Sequence, residues 1–468
     1  MSLEEIRDPE ILEGYLVDAS NTRGHAEVLV RPETTEEVAE VLQACQAAAI
    51  PVTVTAKRTS TTGGPVPQGG WLLSTERLTD ILEIGHDYAR AQAGVFLGAF
   101  QAEVESKNRF FPPDPTSRHE CSLGASIACN ASGARSFAYG PIRPWVDSVT
   151  AVLPTGEVLV ADRNTPIPAH WPELDWSPPQ VKSAAGYHPS NNLLDLLIGQ
   201  EGTLAVITEA RVRLTELPRD VVSILAFFPD TTSGLNMVKK ARTSAREGQA
   251  ISPRCLEWYD HNALDMIRER VSGIPTEAKA GVWCEQELTD DNDTVLEAWL
   301  DLLVDTGSLV EDTLFAQDRP GLERLGAIRH AVPAGVNEAI VKNGMPKVGT
   351  DCSVPDDALD EMMAVYESSP FDHVLFGHVG DNHLHLNLLP KSTQELEEAR
   401  SWYREICRKA VSMGGSVSAE HGIGKLKRAH LADMIGPSTL SQFSALKREL
   451  DPAWILGRGN ILAVPVED

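Results

Sequence analysis

The sequence is poor in cysteine and shows no cysteine motif. Its 468 residues include seven cysteines, an odd number, and no two of them form a CxxC pair. That pattern signals neither a cysteine-based zinc site nor an iron–sulfur cluster. The thiols are scattered as Cys45, Cys121, Cys129, Cys255, Cys284, Cys352 and Cys407. Scattered free thiols suit a reducing compartment, so we expect a cytoplasmic protein.

Long hydrophobic runs are also missing. Residues 1–10 are acidic and have neither the basic n-region nor the apolar h-region of a signal peptide. No stretch approaches the eighteen or so consecutive apolar residues that a transmembrane helix needs. The sequence therefore predicts a protein that is neither exported by a signal peptide nor integral to a membrane.

Positive charge is scarce. The 41 lysines and arginines are outnumbered by 67 aspartates and glutamates, which gives a formal net charge of −26. Such an excess repels phosphate backbones and excludes nucleic acid as a partner. It also repels small anions, so an acidic substrate would need a local cluster of positive charge.

Local patterns predict a multidomain chain of mixed helices and strands. The length exceeds what one hydrophobic core usually supports, and the character of the chain changes near Pro218. Residues 111–145, rich in proline and glycine, read as a long binding loop, and residues 161–192 read as an insertion. Predicted elements are a helix beginning at Thr34 or Thr35, strands over 52–55, 71–74 and 91–95, a helix over 98–107, a hairpin over 148–160, a strand pair over 202–214, a strand over 222–228, and helices over 293–304 and from Ser392 to about Met413.

The densest polar cluster is GHVGDNHLHLN, residues 377–387. His378 and His385 offer neutral imidazoles, which are ligands of first-row metals. Their spacing suits a strand–turn–strand, on which His383, His385 and Asn387 would share one face. By itself, His383 is better explained as a structural residue of the strand.

A second cluster, SAEHGIGK, occupies residues 418–425. Glu420 could supply the carboxylate that completes a two-histidine, one-carboxylate metal site. The neighbouring His421 has an imidazole whose ordinary pKa lies near neutrality, so it is a candidate general base.

Three stretches are suited to a large phosphate-bearing ligand. Residues 55–64 follow a strand and could form a nest of backbone N–H groups that binds an anion. Small residues dominate 121–133, and GQEGTLAVITE occupies 199–209. No GxGxxG follows a strand, so a Rossmann-type NAD site is not supported.

Together these motifs resemble one family. The chain is similar, from about Leu29 to Leu462, to the FAD-linked 2-hydroxy-acid dehydrogenases of the vanillyl-alcohol-oxidase flavoprotein superfamily, which include D-lactate dehydrogenase, the glycolate oxidase FAD subunit and D-2-hydroxyglutarate dehydrogenase. The most specific pieces are PPDPTS (112–117), GQEGTLAVITEA (199–210), GHVGDNHLHLN (377–387) and SAEHGIGK (418–425).

The resemblance implies an α+β protein with a two-part FAD-binding domain of the vanillyl-alcohol-oxidase (PCMH) type. An antiparallel-sheet cap domain with flanking helices would cover the flavin. We expect the FAD-binding domain at 1–217, the substrate-binding cap at 218–425, and a segment at 426–468 that returns to the FAD-binding domain.

The resemblance also implies roles for individual residues. His378, His385 and Glu420 would bind a divalent metal, with zinc as the first choice and manganese or iron as alternatives. His421 would remove the hydroxyl proton of a small D-2-hydroxy acid, and hydride would pass to the flavin, giving the 2-oxo acid. Substrate contacts would come from Arg329, Asn387 and Lys347, although the spacing of Lys347 to Asp351 departs from the family pattern.

FAD is expected to bind noncovalently, because the first phosphate loop has no histidine. The implied FAD contacts are Lys57, Arg58, Thr59, Ser60, Thr61, Thr62, Pro115, Thr116, Gly124, Ala125, Ser126, Asn130, Gly133, Glu201, Gly202, Ile207 and Asn460. One departure is that Ala56, Lys57 and Arg58 stand where the family has a glycine triplet. Side chains there disfavour the positive φ angles that glycine adopts easily.

The resemblance implies an external electron acceptor, because no cysteine-rich cluster domain is fused to the chain. Electron-transfer flavoprotein, a cytochrome, an iron–sulfur partner subunit and quinone are the candidates, with oxygen as an alternative. A homodimer is common in related proteins.

Other functions stay open at this point. A flavoenzyme that oxidises a phenol or a non-acid alcohol would need neither the metal ligands nor Arg329. A metal-dependent hydrolase would be colourless, and a non-catalytic flavin or metal binder would hold FAD that no 2-hydroxy acid reduces.

Overall fold

The structure, a computed structural model, describes residues 3–288 and 292–465. Its helices are α1 (Pro9–Glu13), α2 (Thr35–Ala47), α3 (Leu97–Glu105), α4 (Leu123–Ala128), α5 (Ser136–Tyr139), α6 (Leu193–Leu197), α7 (Thr231–Arg246), α8 (His261–Ile267), α9 (Asn292–Asp305), α10 (Arg319–Asn343), α11 (Leu359–Glu367), α12 (Thr393–Ser412) and α13 (Arg428–Leu450). None of the helices in the described part of the chain combines the length and apolar character that crossing a bilayer requires.

The strands form four sheets, which together with the helices confirm an α+β fold. They are β1 (Val28–Val30), β2 (Val52–Thr55), β3 (Trp71–Ser74), β4 (Ile81–Ile84), β5 (Tyr88–Gln92), β6 (Arg109–Phe110), β7 (Val146–Val152), β8 (Val158–Asp162), β9 (Val206–Arg213), β10 (Thr215–Glu216), β11 (Asp220–Phe228), β12 (Cys255–Asp260), β13 (Ala280–Leu288), β14 (Leu314–Ala316), β15 (Val348–Gly349), β16 (His373–His378) and β17 (His383–Leu388).

The first half of the chain contains three of these sheets. A parallel sheet has the order β1-β3-β2, an antiparallel sheet has the order β4-β5-β9-β7-β8, and β6 pairs with β10. The later part of the chain contains one large antiparallel sheet, in the order β14-β11-β13-β12-β16-β17-β15. The large sheet is the antiparallel sheet that the resemblance led us to expect.

Several local predictions are confirmed. The side chain of Thr34 accepts a hydrogen bond from the backbone N–H of Glu37 and begins α2, whose buried face includes Val38 and Leu42. Ser392 caps α12 in the same way through the N–H of Glu395. The β7–β8 hairpin and the strands β2, β3 and β11 lie where alternation and β-branched residues placed them.

Three local predictions are wrong. The strand expected near 91–95 ends at Gln92, because the chain turns at residues 93–95 to contact the next element. The region 202–214 contains one strand, β9, preceded by turns, rather than a strand pair. Residues 111–145 were predicted as a loop because of their glycine and proline content, but the chain forms two short helices there, α4 and α5.

The chain after α13 packs against the first sheet. The N–H of Val52 donates to the carbonyl of Ile455 at 2.8 Å, and the N–H of Gly457 donates to the carbonyl of Val52 at 2.9 Å. Ile455 and Leu456 are buried in the same core cluster as residues of α2 and β1–β3. This tail therefore covers the edge of β2 and brings Asn460 to the loop that follows β2.

Candidate functional site

The β16–β17 hairpin carries the histidine cluster. His378 ends β16, His383 begins β17, and the two are paired across the turn. Asn382 makes the turn with a left-handed φ of 51°. The predicted strand–turn–strand is confirmed, and its short turn keeps the imidazoles of His378, His383 and His385 together.

Three imidazoles face the carboxylate of Glu420. The Nε2 atoms of His378 and His385 each lie 3.3 Å from a Glu420 oxygen, and His383 Nδ1 lies 3.9 Å from Oε2. The potential ligand atoms of these four residues all lie within 4.8 Å of one another. The structure thus brings the three predicted metal ligands into one cluster and adds His383 to it.

In His378 and His385, the ring nitrogen that points away from Glu420 also has a partner. His378 Nδ1 lies 2.5 Å from Glu257 Oε1, and His385 Nδ1 lies 3.3 Å from the carbonyl of Thr350. Such outer contacts orient a histidine so that its other nitrogen faces a metal. Burial lowers the pKa of His378, but the Glu257 carboxylate outweighs that effect and raises the pKa to about 9.

Asp351 holds the candidate base. This buried carboxylate accepts hydrogen bonds from the Ser418 hydroxyl at 2.7 Å, the Lys427 ammonium at 2.6 Å and the N–H of His421 at 3.1 Å. Burial raises its pKa, but the adjacent His421 imidazole and Lys427 ammonium outweigh burial and hold the pKa well below the usual range. Asp351 is therefore an anion beside the His421 ring, whose Nδ1 lies 3.5 Å away.

His421 itself lies between Asp351 and the metal-ligand cluster. Its Nε2 is 3.5 Å from Glu420 Oε1, and its ring stacks on that of His385 at a centroid distance of 5.2 Å. Burial lowers the pKa of His421 to about 4. The imidazole is consequently neutral near pH 7 and able to accept a proton.

Lys182 is a site residue that sequence reasoning missed. Its ammonium, only 4% exposed as a side chain, lies 3.2 Å from Glu420 Oε2 and 3.7 Å from Asp381 Oδ2. It belongs to the stretch interpreted as an insertion, where a single lysine gave no signal. Glu257 and Asp351 were missed for the same reason, because an isolated carboxylate has no distinguishing spacing.

The predicted substrate contacts separate into two places. Arg329, on α10, is 10% exposed and donates to Asp114 at 3.0 Å and to the Thr116 hydroxyl at 3.2 Å. Lys347 instead donates to Asn387 Oδ1 at 2.6 Å, and within 3–288 and 292–465 no carboxylate pairs with it. Because Asp114 already pairs with Arg329, Lys347 is the better placed of the two cations to bind an anion.

The first phosphate loop adopts a glycine-like backbone despite its side chains. Arg58 has a φ of 59°, in the left-handed region. Its guanidinium lies 4.5 Å from the centre of the Tyr15 ring, and the Lys57 ammonium lies 3.9 Å from the centre of the Phe96 ring. Both cations therefore lie on aromatic rings. Of the other predicted loop residues, Thr61 is exposed, Thr59 and Ser60 are half-buried, and Thr62 is buried.

The second predicted cluster, residues 418–425, contacts this loop and the loop that carries Glu201. The Lys425 ammonium donates to the carbonyls of Gly63 and Gly64, each at 3.1 Å, and to Asn460 Oδ1 at 2.6 Å. Glu201 accepts from the N–H groups of Ile423 and Gly424 at 2.8 and 2.6 Å. The segment that carries Glu420 and His421 is thereby fixed to the loops predicted to bind FAD.

Comparison with known proteins decides the family. Residues 26–162 match the model of an FAD binding domain, and residues 217–461 match that of the C-terminal domain of FAD linked oxidases. The chain is 30% identical to mitochondrial D-2-hydroxyglutarate dehydrogenase of Bos taurus, over 98% of this chain and 81% of that one. The chain belongs to the FAD-linked oxidases.

Other similarities agree with this family. D-lactate dehydrogenase of Anaerostipes hadrus is 29% identical, with 97% of this chain and 93% of that protein covered. Glycolate oxidase subunit GlcD of Bacillus subtilis is 28% identical, with 93% and 89% covered. A solved structure of alkyldihydroxyacetonephosphate synthase has a TM-score of 0.72 at 16% identity, covering 97% of this chain and 82% of that one, which shows a shared fold.

Within this FAD-linked oxidase, the loops leave polar atoms suited to a cofactor. The hydroxyls of Thr55 and Ser122 are buried without a hydrogen-bond partner among the described residues. Buried polar groups nearly always have a partner, and a polar ligand could supply it here. A Cβ added at Gly64 would meet nothing closer than 3.6 Å, so this face of the loop is open. Of the other predicted FAD contacts, Pro115, Asn130 and Gly202 lie on loops, Ala125 and Ser126 lie on α4, and Ile207 lies on β9.

Two predicted glycines serve another purpose. A Cβ at Gly133 would lie 1.8 Å from the carbonyl oxygen of Asp114, and one at Gly124 would lie 2.4 Å from the Cβ of Ala93. These residues are glycine because protein backbone packs on them. They therefore shape the loop region from within.

Proposed function

We propose that this FAD-linked oxidase oxidises a small D-2-hydroxy acid to the corresponding 2-oxo acid, with a divalent metal bound by His378, His385 and Glu420. The observation that carries the proposal is that His378 and His385 both face the carboxylate of Glu420. Glu420 lies next to His421, on a segment that is hydrogen-bonded to the loops predicted to bind FAD. The names of the relatives, which act on D-lactate, glycolate and D-2-hydroxyglutarate, support the substrate class.

The donor set fits the metal. The Nε2 atoms of His378 and His385 lie 3.3 Å from Oε2 and Oε1 of Glu420, respectively, and their outer nitrogens are held by Glu257 and the Thr350 carbonyl. Such a nitrogen and oxygen set suits zinc, which we take as the first choice, and also manganese or iron. When bound, the metal supplies positive charge at the substrate hydroxyl and the noncovalent FAD supplies the hydride acceptor.

His421 takes the hydroxyl proton in this scheme. Its Nε2 faces the metal-ligand cluster and its Nδ1 faces Asp351, so a proton accepted at Nε2 creates an imidazolium beside a buried anion. The hydride on C2 leaves with its electron pair as the C2–O bond becomes a carbonyl. Asp351 thus holds the ring in place and stabilises the charge that the ring acquires.

Lys347 and Asn387 bind the substrate carboxylate. Lys347 is an exposed residue, but burial of its ammonium lowers the pKa to about 8, and the ammonium retains two N–H donors beyond its bond to Asn387. It supplies the local positive charge that a chain of net charge −26 needs to attract an acid. Arg329 contributes if substrate binding separates it from Asp114, and otherwise anchors Asp114 to the cap.

We also propose the domain organisation 1–217, 218–425 and 426–468, the last returning to the FAD-binding part. The hydrogen bonds of Val52 to the segment after α13 support this division. Reduced FAD then passes its electrons to a separate acceptor, such as electron-transfer flavoprotein, a cytochrome, an iron–sulfur subunit or quinone.

The test is anaerobic reduction of the bound flavin. D-lactate, glycolate and D-2-hydroxyglutarate are added in turn to the purified holoenzyme, with L-lactate as the stereochemical control. We expect one D-acid or glycolate to bleach the visible flavin band while a 2-oxo acid accumulates in equal amount. Flavin that none of these acids bleaches, in protein shown to contain metal, would contradict the proposed substrate class.

A further inference from the structure

His383 is the most deeply buried imidazole of the cluster, at 0% exposure. Its Nε2 faces Asp351 Oδ1 at 2.9 Å, whereas its Nδ1 has no hydrogen-bond partner among the described residues. Buried polar atoms in proteins nearly always have a partner. The unpartnered Nδ1, which faces the Glu420 carboxylate, therefore points to a ligand.

We propose that His383 is a third imidazole ligand of the metal, through Nδ1, which makes the site a three-histidine, one-glutamate set. The inference rests on the proposed function, because it concerns the same metal. It replaces the explanation of His383 as a structural residue of the strand.

The three imidazoles share one arrangement. Each has one nitrogen facing an outer oxygen: Glu257 for His378, the Thr350 carbonyl for His385, and Asp351 for His383. Each has its other nitrogen facing Glu420, at 3.3, 3.3 and 3.9 Å in the same order. Outer oxygens of this kind set which nitrogen is left to bind a metal.

The rings also surround one volume. Their centroids are separated by 5.3 Å between His378 and His383, 4.5 Å between His383 and His385, and 5.5 Å between His378 and His385. The Lys182 ammonium lies 3.2 Å from the same Glu420 oxygen that faces His378 and His383, so a bound metal would share this carboxylate with Lys182.

A third imidazole changes which metals the site accepts. Magnesium and calcium prefer oxygen ligands, whereas three nitrogens and one oxygen favour zinc and the later first-row metals. Asp351 would then contact both a metal ligand, His383, and the proton acceptor, His421. The ligand and the base would be positioned by the same carboxylate.

Counting imidazoles tests the inference directly. X-ray absorption at the zinc edge of the zinc-loaded wild-type holoenzyme distinguishes three bound imidazoles from two without any substitution. His383→Asn should remove one imidazole and weaken zinc binding about tenfold or more, as measured by competition with a chelator. His373→Asn, at the other end of β16, is the matched control, because His373 donates to the Phe371 carbonyl away from the cluster.

The outcomes separate the inference from the proposed function. Three imidazoles in the wild type and two in His383→Asn support the inference, whether or not the variant keeps full stability. Two imidazoles in the wild type overturn it, and the proposed function stands if a 2-hydroxy acid still bleaches the flavin. Failure to retain zinc at one equivalent overturns both the inference and the metal in the proposed function.

Discussion

The two regions that meet at the site present different chemical groups, side chains in one and backbone groups in the other. On the cap side, β16 and β17 present side chains whose positions follow from strand register. On the FAD side, loops 57–64 and 199–202 present backbone groups held by a few long-range contacts. We therefore expect the substitution of one side chain on the cap side to abolish turnover. On the FAD side, a substitution should weaken stability and FAD retention mainly where it removes a contact that holds two loops together.

Glu420→Gln should have the largest effect. It removes the carboxylate that faces three imidazoles, so we expect the proposed metal to be lost with it while FAD is retained. Loss of several kcal/mol of charge stabilisation corresponds to a decrease of about a thousandfold in kcat. Steady-state turnover and metal analysis measure the effect, with the exposed Glu398→Gln as control. Full metal content in Glu420→Gln would contradict the assignment.

His421→Asn should lower turnover by about a hundredfold, at the lower end of the usual range for a lost general base. Because His421 lies beside the ligand cluster, the variant should retain FAD and metal. Rapid-reaction measurement of flavin reduction isolates the step. His86→Asn, an exposed histidine, is the control. Flavin reduction at the wild-type rate in His421→Asn would rule out this residue as the base.

Lys425→Met tests the FAD side. The substitution leaves the carbonyls of Gly63 and Gly64 and the amide oxygen of Asn460 without their shared donor. We expect a loss of about 3 kcal/mol in unfolding free energy and weaker FAD retention, with metal content unchanged. Chemical denaturation and flavin content after gel filtration are the measurements. Lys107→Met, at an exposed lysine, should change neither.

Asp114→Asn tests the buried charges that join the two sides. Burial raises the pKa of Asp114, but Arg135, Arg329 and Arg118 outweigh burial and lower the pKa to about 2. A folded pKa below the unfolded one stabilises the fold above about pH 4, and this contribution is lost as pH falls toward 2. We expect the variant to be less stable by about 2 kcal/mol near neutrality.

The difference between wild type and Asp114→Asn should then shrink as the pH falls from about 4 to about 2. Denaturant unfolding at several pH values measures it, and Asp220→Asn, at an exposed aspartate, provides the control. A difference that stayed constant over this range would show that Asp114 acts through packing rather than charge.

Arg58→Gly should have the smallest effect. The left-handed φ of 59° costs a non-glycine residue about 1 kcal/mol, and glycine loses a similar amount through its freer unfolded chain. The net change in unfolding free energy should stay within about 1 kcal/mol. Arg58→Ala separates the contact with Tyr15 from the backbone. Loss of FAD from Arg58→Gly but not from Arg58→Ala would show that the loop needs a residue other than glycine at this position to keep its backbone conformation.

The sequence predicted the cap side of the site better than its neighbours. His378, His385 and Glu420 have distinctive residue types in short glycine-containing motifs, so the cluster was visible before the structure. Glu257 and Lys182 lie 121 and 238 positions from the residues they contact, and no local pattern links partners so distant. Their positions depend on strand pairing between β12 and β16 and on the path of residues 163–192, which sequence periodicity does not determine.

The fold was predictable where a local rule sufficed. Caps at Thr34 and Ser392 and alternation in the β7–β8 hairpin identify their elements within a few residues. Helices α4 and α5 were missed because they are short and lie among glycines and prolines, where packing against the core outweighs propensity. At Arg58, too, the surrounding structure outweighs the preference of the residue, which has a left-handed backbone conformation that arginine disfavours.

The order of synthesis gives the tail after α13 a further consequence. β2 is an edge strand of its sheet, and its partner on the open side is the stretch around Ile455, made roughly four hundred residues later. During translation that edge stays unpaired, and Asn460 cannot yet reach Gly64 and Glu201. The nascent chain must keep β2 from pairing wrongly until the tail arrives, so the joint between β2, the loop after it and the tail forms only after residues 455–460 have been made.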